Sequence, residues 1–332
     1  MNHKKGILLY SGGLDSLLAA RILMEQNILL TGIHFVSPFT PKTSNLEESY
    51  PSLLAKSIGL PLRFYHCNSE YMEIVKDPPH GHGKNMNPCI DCKIYFLKKA
   101  KDMMKETNAF FVATGEVVGQ RPMSQMKHML NHIEKESGLR GYLLRPLSAR
   151  LLRPTIPEME GMIDRNKLLS INGRSRRYQM ELADKYNISD YSSPSGGCLL
   201  TDMNISRRLK DLFNYCTDYT MTDVYLLTVG RHYRLHASAK LIVSRNEREN
   251  FALEQYMNEA DYFVAPEFKG PLMFVKGRLS SDDLASLGCI ARRYGRSPEN
   301  TWGIKIFQKN SNPSTIYATG SIEEILLKKM RI

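Results

Sequence analysis

Close to its start the chain reads Gly6–Ser11, GILLYS, then two glycines, then Leu14–Gln26, LDSLLAARILMEQ. An apolar β-rich run, a glycine turn and a helical pattern in direct succession constrain the fold more than any other feature. A run apolar at nearly every position is a buried strand, and Leu14, Leu17, Leu18 and Ile22 behind it recur at helical spacing. The unit repeats. LLTGIHFV is a second strand and NLEESYPSLLAKSIG a helix closed by Gly59; LRFYHC is a third strand, CKIYFLKKAKDMMKET a helix and AFFVATGE a fourth strand. Strand and helix in alternation predict an α/β fold with a doubly wound parallel sheet. From about Arg207 the texture changes to VYLLTVGRHYRL, AKLIVSRN, GPLMFVKGRL, WGIKIFQK and STIYATG, all read as strands, with NERENFALEQYM and SDDLASLGCIARRYG as helices. This predicts two domains, residues 1–205 and a smaller C-terminal α/β domain over 206–332.

At 332 residues with 42% hydrophobic content, the chain can bury two cores, and it has no apolar run of the roughly 20 residues a membrane helix needs. The opening MNHKKGILLYSGG breaks on glycines too soon for a signal peptide, so the expectation is a cytoplasmic protein without a membrane partner. The net charge of +11 speaks to partners and not to fold. Nine basic residues fall between Arg140 and Arg177 against three acidic ones, Glu158, Glu160 and Asp164, and such clustering favours nucleic acid.

A glycine turn between a strand and a helix presents backbone N–H groups at the positive end of the helix dipole and so forms a phosphate cradle. The common phosphate loop carries Lys followed by Ser or Thr; here Asp15 and Ser16 stand instead. An aspartate beside phosphates makes sense as a ligand of Mg²⁺. The stretch SGGLDS, Ser11–Ser16, resembles the pyrophosphate-binding loop S-G-G-x-D-S of the N-type ATP pyrophosphatases, which adenylate a substrate oxygen. The resemblance implies that Ser11, Gly12, Gly13 and Ser16 hold the pyrophosphate of ATP and that Asp15 holds the metal. TGEVVGQRPMSQ, Thr114–Gln125, with LLRPL after it, resembles segments of the tRNA 4-thiouridine synthetases and adds Gly115 to the nucleotide site. Those enzymes carry a THUMP domain ahead of the ATP domain, whereas this sequence opens on the loop.

Of the six cysteines, Cys89 and Cys92 form a C-x-x-C pair at the start of a helix, where two thiolates can share a metal or cluster and the dipole lowers their pKa. A redox pair and half of a zinc site, completed by His80 and His82, are the other readings. Cys198 lies in SGGC and would bring a third thiolate if that turn folds back. Four-cysteine ligation is the rule for a [4Fe–4S] cluster, and three leave one iron open. The tRNA thiolases of this family are similar in having three cysteines and such a cluster; persulfide chemistry at Cys89, Cys92 and Cys198 is the alternative. Cys67, Cys216 and Cys289 lie in apolar contexts and read as buried small hydrophobes.

Arg174, Arg176 and Arg177 open a helical pattern, where cations oppose the dipole and an RNA phosphate would offset the cost. Arg207 and Arg208 follow in SRRLK. The C-terminal VGRHYRLHASAKLIVSRNEREN resembles the RNA-binding NFACT-R domain of ribosome-quality-control proteins, with Ser244 where that phrase has glycine. Together these imply an ATP-dependent tRNA thiouridine synthase with ATP, Mg²⁺ and a [4Fe–4S] cluster, 4-thiouridine being favoured over 2-thiouridine. Its partners would be tRNA, a sulfur donor (sulfide or a persulfide from a cysteine desulfurase) and, as a homodimer, a second copy. The competing readings are an ATP-dependent synthetase for a small molecule and an RNA-binding protein with a degenerate nucleotide site.

Overall fold

The computed structural model describes residues 4–40, 45–188, 191, 198–296 and 300–332. The chain divides into two compact units, Met1–Cys198 and Leu199–Ile332.

The first unit runs β1 (Lys5–Leu9), α1 (Leu14–Met24), β2 (Leu29–Val36), α2 (Tyr50–Ser57), β3 (Leu62–His66), α3 (Ser69–Lys76), α4 (Cys89–Glu106), β4 (Phe111–Thr114), α5 (Lys127–Glu136), β5 (Leu143–Leu144), α6 (Ile156–Met159) and α7 (Arg177–Lys185). Its five strands lie in the order β3-β2-β1-β4-β5 and all pair in parallel. The expected doubly wound sheet is therefore present. The chain leaves β1 toward β2 and β3, then returns to the other side of β1 for β4. The gap between the ends of β1 and β4 is thus the topological switch point, where such sheets bind ligands. Leu14, Leu17, Leu18 and Leu23 of α1 are fully buried on one face of the sheet, while Ile94, Leu97 and Ala100 of α4 cover the other.

One helix was not read from the sequence, and the cysteine pair falls where it was expected, at the start of a helix. Helix α3 follows β3, capped by Asn68, whose side chain accepts from the Glu70 N–H. Helix α4 starts at Cys89, so both cysteines of the C-x-x-C lie in its first turn. Residues 77–88 connect α3 to α4.

The second unit runs α8 (Met203–Tyr215), α9 (Met221–Leu226), β6 (Arg231–His236), β7 (Ala239–Val243), α10 (Glu247–Glu254), β8 (Tyr262–Pro266), β9 (Met273–Gly277), α11 (Ser281–Tyr294), β10 (Thr301–Gln308), β11 (Ser314–Thr319) and α12 (Glu324–Met330). Six strands form an antiparallel sheet in the order β11-β10-β8-β9-β7-β6. Along β10 buried Trp302, Ile304 and Ile306 alternate with exposed Thr301 and Lys305 at the ordinary strand period. The front of VYLLTVGRHYRL is helical, because Thr220 and Asp223 form a capping box that fixes the N-terminus of α9 and overrides the β-rich composition. Among the described residues, no helix is long and apolar enough to cross a membrane.

Candidate active site

The loop after β1 is shaped by two glycines with different tasks. Gly12 has φ +77°, and a Cβ there would also meet Pro51 Cβ at 2.8 Å, so only glycine makes this turn. Gly13 is the N-cap of α1 and offers no side-chain acceptor to the first-turn N–H groups. The Ser16 N–H turns back to the Gly13 carbonyl at 3.1 Å, and the N–H groups of Leu14 and Asp15 are left to a ligand, as an anion site at a helix N-terminus requires. Ser16 donates its hydroxyl to the Gly13 carbonyl at 2.8 Å and lies 3.4 Å from the Ser11 hydroxyl, which accepts from the Gly13 N–H.

Asp15 is the charged group of the loop. Burial raises its pKa, and Arg176, Gln120, Gln179 and Arg121 pull it back down. Its Oδ2 accepts from Gln120 Nε2 at 3.2 Å, while its Oδ1 is buried and has no hydrogen-bond partner. Gln179 is completely buried; its amide stands close enough to lower the Asp15 pKa but makes no hydrogen bond of normal geometry, and Arg176 Nε makes none either. Unsatisfied buried polar atoms are rare and mark places where a ligand, ion or water completes the set.

Gly115 closes the site from β4. A Cβ at this residue would lie 2.5 Å from the Asp15 carbonyl carbon and 2.6 Å from the Ser16 nitrogen. The segment after it is tied across to Asn172–Gly173. Gly173 N–H donates to the Val118 carbonyl at 2.8 Å, and Val118 N–H donates to the Ser148 hydroxyl at 3.0 Å. That link carries the following residues, Arg176 and Gln179, to Asp15.

The motifs meet again at Glu116. Lys93 from NPCIDCK donates to it at 2.5 Å and Arg145 from LLRPL at 3.0 Å. Arg145 is buried and also holds Glu134 at 3.0 Å. Burial alone would raise the Glu116 pKa, but the two cations hold it at about 2.

Cys89 is half-buried and its thiol donates to Asn87 Oδ1 at 3.0 Å. Cys92 is buried, 3.3 Å from the Tyr71 hydroxyl. The dipole does not lower its pKa as expected: burial pushes the thiol up to about 12, and Cys198 and Cys89 add to that. Cys198 is exposed, within electrostatic reach of Cys92 and Tyr71. The residues Ser192–Gly197 before it, which include the two glycines of SGGC, lie outside the described residues. Among the described residues no three His, Cys, Asp or Glu side chains are gathered at metal-holding spacing. The surroundings of Cys92 are nonetheless sulfur-rich, since Cys67 also acts on it. Cys67 is buried, as read, but it belongs to this neighbourhood.

The histidines do not join the thiols. His80 Nδ1 lies 2.7 Å from Asp91 Oδ1, and His82 Nε2 faces the Val75 carbonyl at 2.8 Å. The arginines separate. Arg174 and Arg177 are exposed, and Arg177 pairs with Glu181 at 3.0 Å. Arg176 instead serves the loop. In the second unit Arg207 is exposed, 3.4 Å from Met203 Sδ. Arg208 is turned inward, donating to the carbonyls of Leu227 and Gly230 at 2.6 and 3.1 Å, which engages it in the unit's own structure. Sequence reasoning missed Gln120, Arg121 and Gln179 at Asp15. Gln120 was legible inside TGEVVGQ, whereas nothing in the sequence aims Gln179.

Residues 2–150 match the family model described as thiamine biosynthesis protein (ThiI), and residues 230–329 match the NFACT protein RNA binding domain. The first of these segments is thus similar to the ThiI family. The ThiI segment covers SGGLDS, NPCIDCK, TGEVVGQ and LLRPL and stops short of Arg176, Gln179 and Cys198. A probable tRNA sulfurtransferase from Ureaplasma parvum serovar 3 is 26% identical over 183 residues, 54% of this chain and 42% of that protein. A tRNA-specific 2-thiouridylase from Desulfosudis oleivorans is 30% identical over 114 residues, 32% of this chain and 30% of that protein. The chain thus spans less than half the length of these curated relatives. A 4-thiouridine synthetase solved with RNA and bound ATP is similar at 27% identity and a TM-score of 0.35, over 43% of this chain and 36% of that one.

Proposed function

We propose that this chain is an ATP-dependent tRNA thiouridine synthase. The observation that carries the reading is the unsatisfied polar set around Asp15, at the switch point of a domain similar to the ThiI family: Asp15 Oδ1, Arg176 Nε and the Gln179 amide. In this reading the loop N–H groups and Ser11 and Ser16 bind the β- and γ-phosphates of ATP. Asp15 Oδ1 would hold Mg²⁺, which neutralises phosphate charge when bound. Arg176 and Arg121 offset the remaining negative charge, and Gln120 and Gln179 orient the Asp15 carboxylate. A uridine oxygen attacks the α-phosphorus, the α–β bridge bond breaks and pyrophosphate leaves. Sulfur then attacks the ring carbon, and AMP leaves with the former uridine oxygen.

Cys89, Cys92 and Cys198 are the sulfur-handling residues in this reading. Their donor chemistry fits an iron–sulfur cluster, since they are thiols near one another and the nearby Asp91 carboxylate is engaged by His80. Such a cluster, when bound, would supply an iron open to hydrosulfide. The second unit would grip tRNA, in keeping with its RNA-binding family match. TGEVVGQ favours 4-thiouridine as the product, and the proposed setting is the cytoplasm.

The test is AMP and pyrophosphate formation with and without tRNA by wild type and Asp15→Ala, followed by mass spectrometry of the tRNA nucleosides. The reading expects tRNA-dependent AMP from wild type, none from the variant and a new thiouridine whose fragmentation names the ring position. AMP formation by Asp15→Ala at the wild-type rate, or no thiolated nucleoside, refutes it.

A further inference from the structure

A cavity of about 480 Å³ opens in the first unit beside α5, away from the loop that holds Asp15. Leu143 and Leu144 of β5 and Ala149 back it but are themselves buried, Leu152 is half-buried, and Lys135, Arg140 and Arg153 at its edge are exposed. Volumes of this order accommodate ligands of nucleotide size.

The charge around this cavity does not cancel. Glu134 and Glu158 stand in the wall, but each is occupied. Glu134 accepts from Arg145 at 3.0 Å and from the Gly141 N–H at 3.0 Å. Glu158 accepts from Arg165 at 2.5 Å and from the Thr155 N–H at 2.7 Å. Counting the ion pairs that reach the wall, the carboxylates Glu116, Glu134 and Glu158 are balanced by Lys93, Arg145 and Arg165. Lys135, Arg140 and Arg153 are then in excess, and among the described residues no carboxylate pairs with them. Three exposed cations beside half-buried Leu152 suit a ligand with phosphate at its edge and one flat, weakly polar face for that side chain.

The cavity also reaches the sulfur site. His132 lines it, and His132 Nε2 lies 2.7 Å from His80 Nε2. His80 Nδ1 in turn lies 2.7 Å from Asp91 Oδ1, and the His80 N–H donates to Asp91 Oδ2 at 3.1 Å. Asp91 stands between Cys89 and Cys92 in the first turn of α4. Two hydrogen bonds therefore connect the cavity wall to the C-x-x-C turn. RNA held in the cavity would be linked to the C-x-x-C turn through His132, His80 and Asp91.

We propose that this cavity is an RNA subsite that seats one unstacked nucleotide of the substrate tRNA, near the one modified. The base lies against half-buried Leu152, and its phosphates lie on Lys135, Arg140 and Arg153. Single-stranded and splayed nucleotides are read in this manner, by an apolar face for the base and cations for the backbone. The inference rests on the tRNA reading above but assigns a surface that the loop, the cysteines and the second unit do not include.

The test uses the full chain. tRNA affinity of wild type, Arg140→Ala/Arg153→Ala and Leu152→Trp is measured over a salt series, with ATP affinity measured alongside. The arginine pair should lose on the order of tenfold in tRNA affinity and lower the slope of log affinity against log salt by about 1.5, since each phosphate contact contributes roughly 0.7–0.9. Leu152→Trp fills the cavity without changing charge; it should weaken tRNA binding at an unchanged slope. Both variants should bind ATP as wild type does. Wild-type tRNA affinity and slope in the arginine variant overturn the subsite, and loss in the arginine variant with none in Leu152→Trp overturns the seated base. Failure of wild type itself to bind tRNA removes the functional reading together with the subsite, which separates the two failures.

Discussion

Gly115→Ala tests whether the end of β4 sets the shape of the phosphate loop. The added methyl would sit 2.5 Å from the Asp15 carbonyl carbon and 2.6 Å from both the Asp15 oxygen and the Ser16 nitrogen. Ordinary contact begins near 3.4 Å, so the shortfall is about 0.9 Å, and every atom met belongs to backbone. No side chain can swing aside; either the loop or the strand end must move by most of that distance. Overpacking of this kind costs roughly 1–3 kcal/mol, and for a unit of this size each kcal/mol lowers Tm by about 2–4 °C. The functional effect should be larger, because displacing a binding constellation by about 1 Å costs on the order of a hundredfold. Gly59→Ala is the control: Gly59 has φ +70° and nothing within 4 Å, so it carries backbone strain without a collision. It should lose stability, about 1–2 kcal/mol, and keep its ATP affinity. The measurements are thermal unfolding, ATP titration and pyrophosphate release. Wild-type ATP affinity in Gly115→Ala would refute the argument, since the loop would then not depend on contact with β4.

Three other outcomes can be checked. The Glu116 pKa falls from the ordinary 4.5 to about 2, so the ionised carboxylate stabilises the fold fully above pH 4.5, and this is lost as pH drops toward 2; the term is on the order of 3 kcal/mol, and urea unfolding of Glu116→Gln should show a flatter acid limb than wild type. In the second unit Asp211 accepts from Arg234 at 2.9 and 2.7 Å and lies 3.1 Å from buried Lys240. Asp211→Ala strands two cations and should cost roughly 3–5 kcal/mol, whereas Lys240→Met, which leaves the arginine pair intact, should cost clearly less; equal losses would show that the pairs do not govern the site. Anaerobic reconstitution should load iron and acid-labile sulfide, less so in Cys89→Ala, Cys92→Ala and Cys198→Ala; iron-free protein that still thiolates tRNA would move those residues to persulfide chemistry.

The doubly wound sheet was legible because each strand and helix announces itself within about a dozen residues, and the glycine loop because its geometry is local. The packing of Gly115 on Asp15 joins residues a hundred positions apart, and only the parallel pairing of β1 with β4 brings them together. Arg174, Arg176 and Arg177 look equivalent in sequence, since a run of cations carries no direction. The tie between Val118 and Gly173 decides that Arg176 faces the loop while its neighbours face water. For Cys92, sequence position supplied the helix dipole but not the burial that outweighs it. The C-terminal strands were readable one by one; their antiparallel order depends on connections whose lengths alone do not fix it.

Glu116 has a consequence for how this protein answers to genetics. Lys93, Glu116 and Arg145 come from three separate motifs but share one buried ion cluster. Replaced singly, each leaves partners without compensation, so a scan would score three independent lesions. Replaced together with Glu134, the other partner of Arg145, by apolar residues of matching volume, they would cost far less than those lesions imply, because the charges that made each loss severe would be gone. Sequences that diverge here should therefore exchange these positions and Glu134 as a set, and apparent indispensability at any one of them measures its partners.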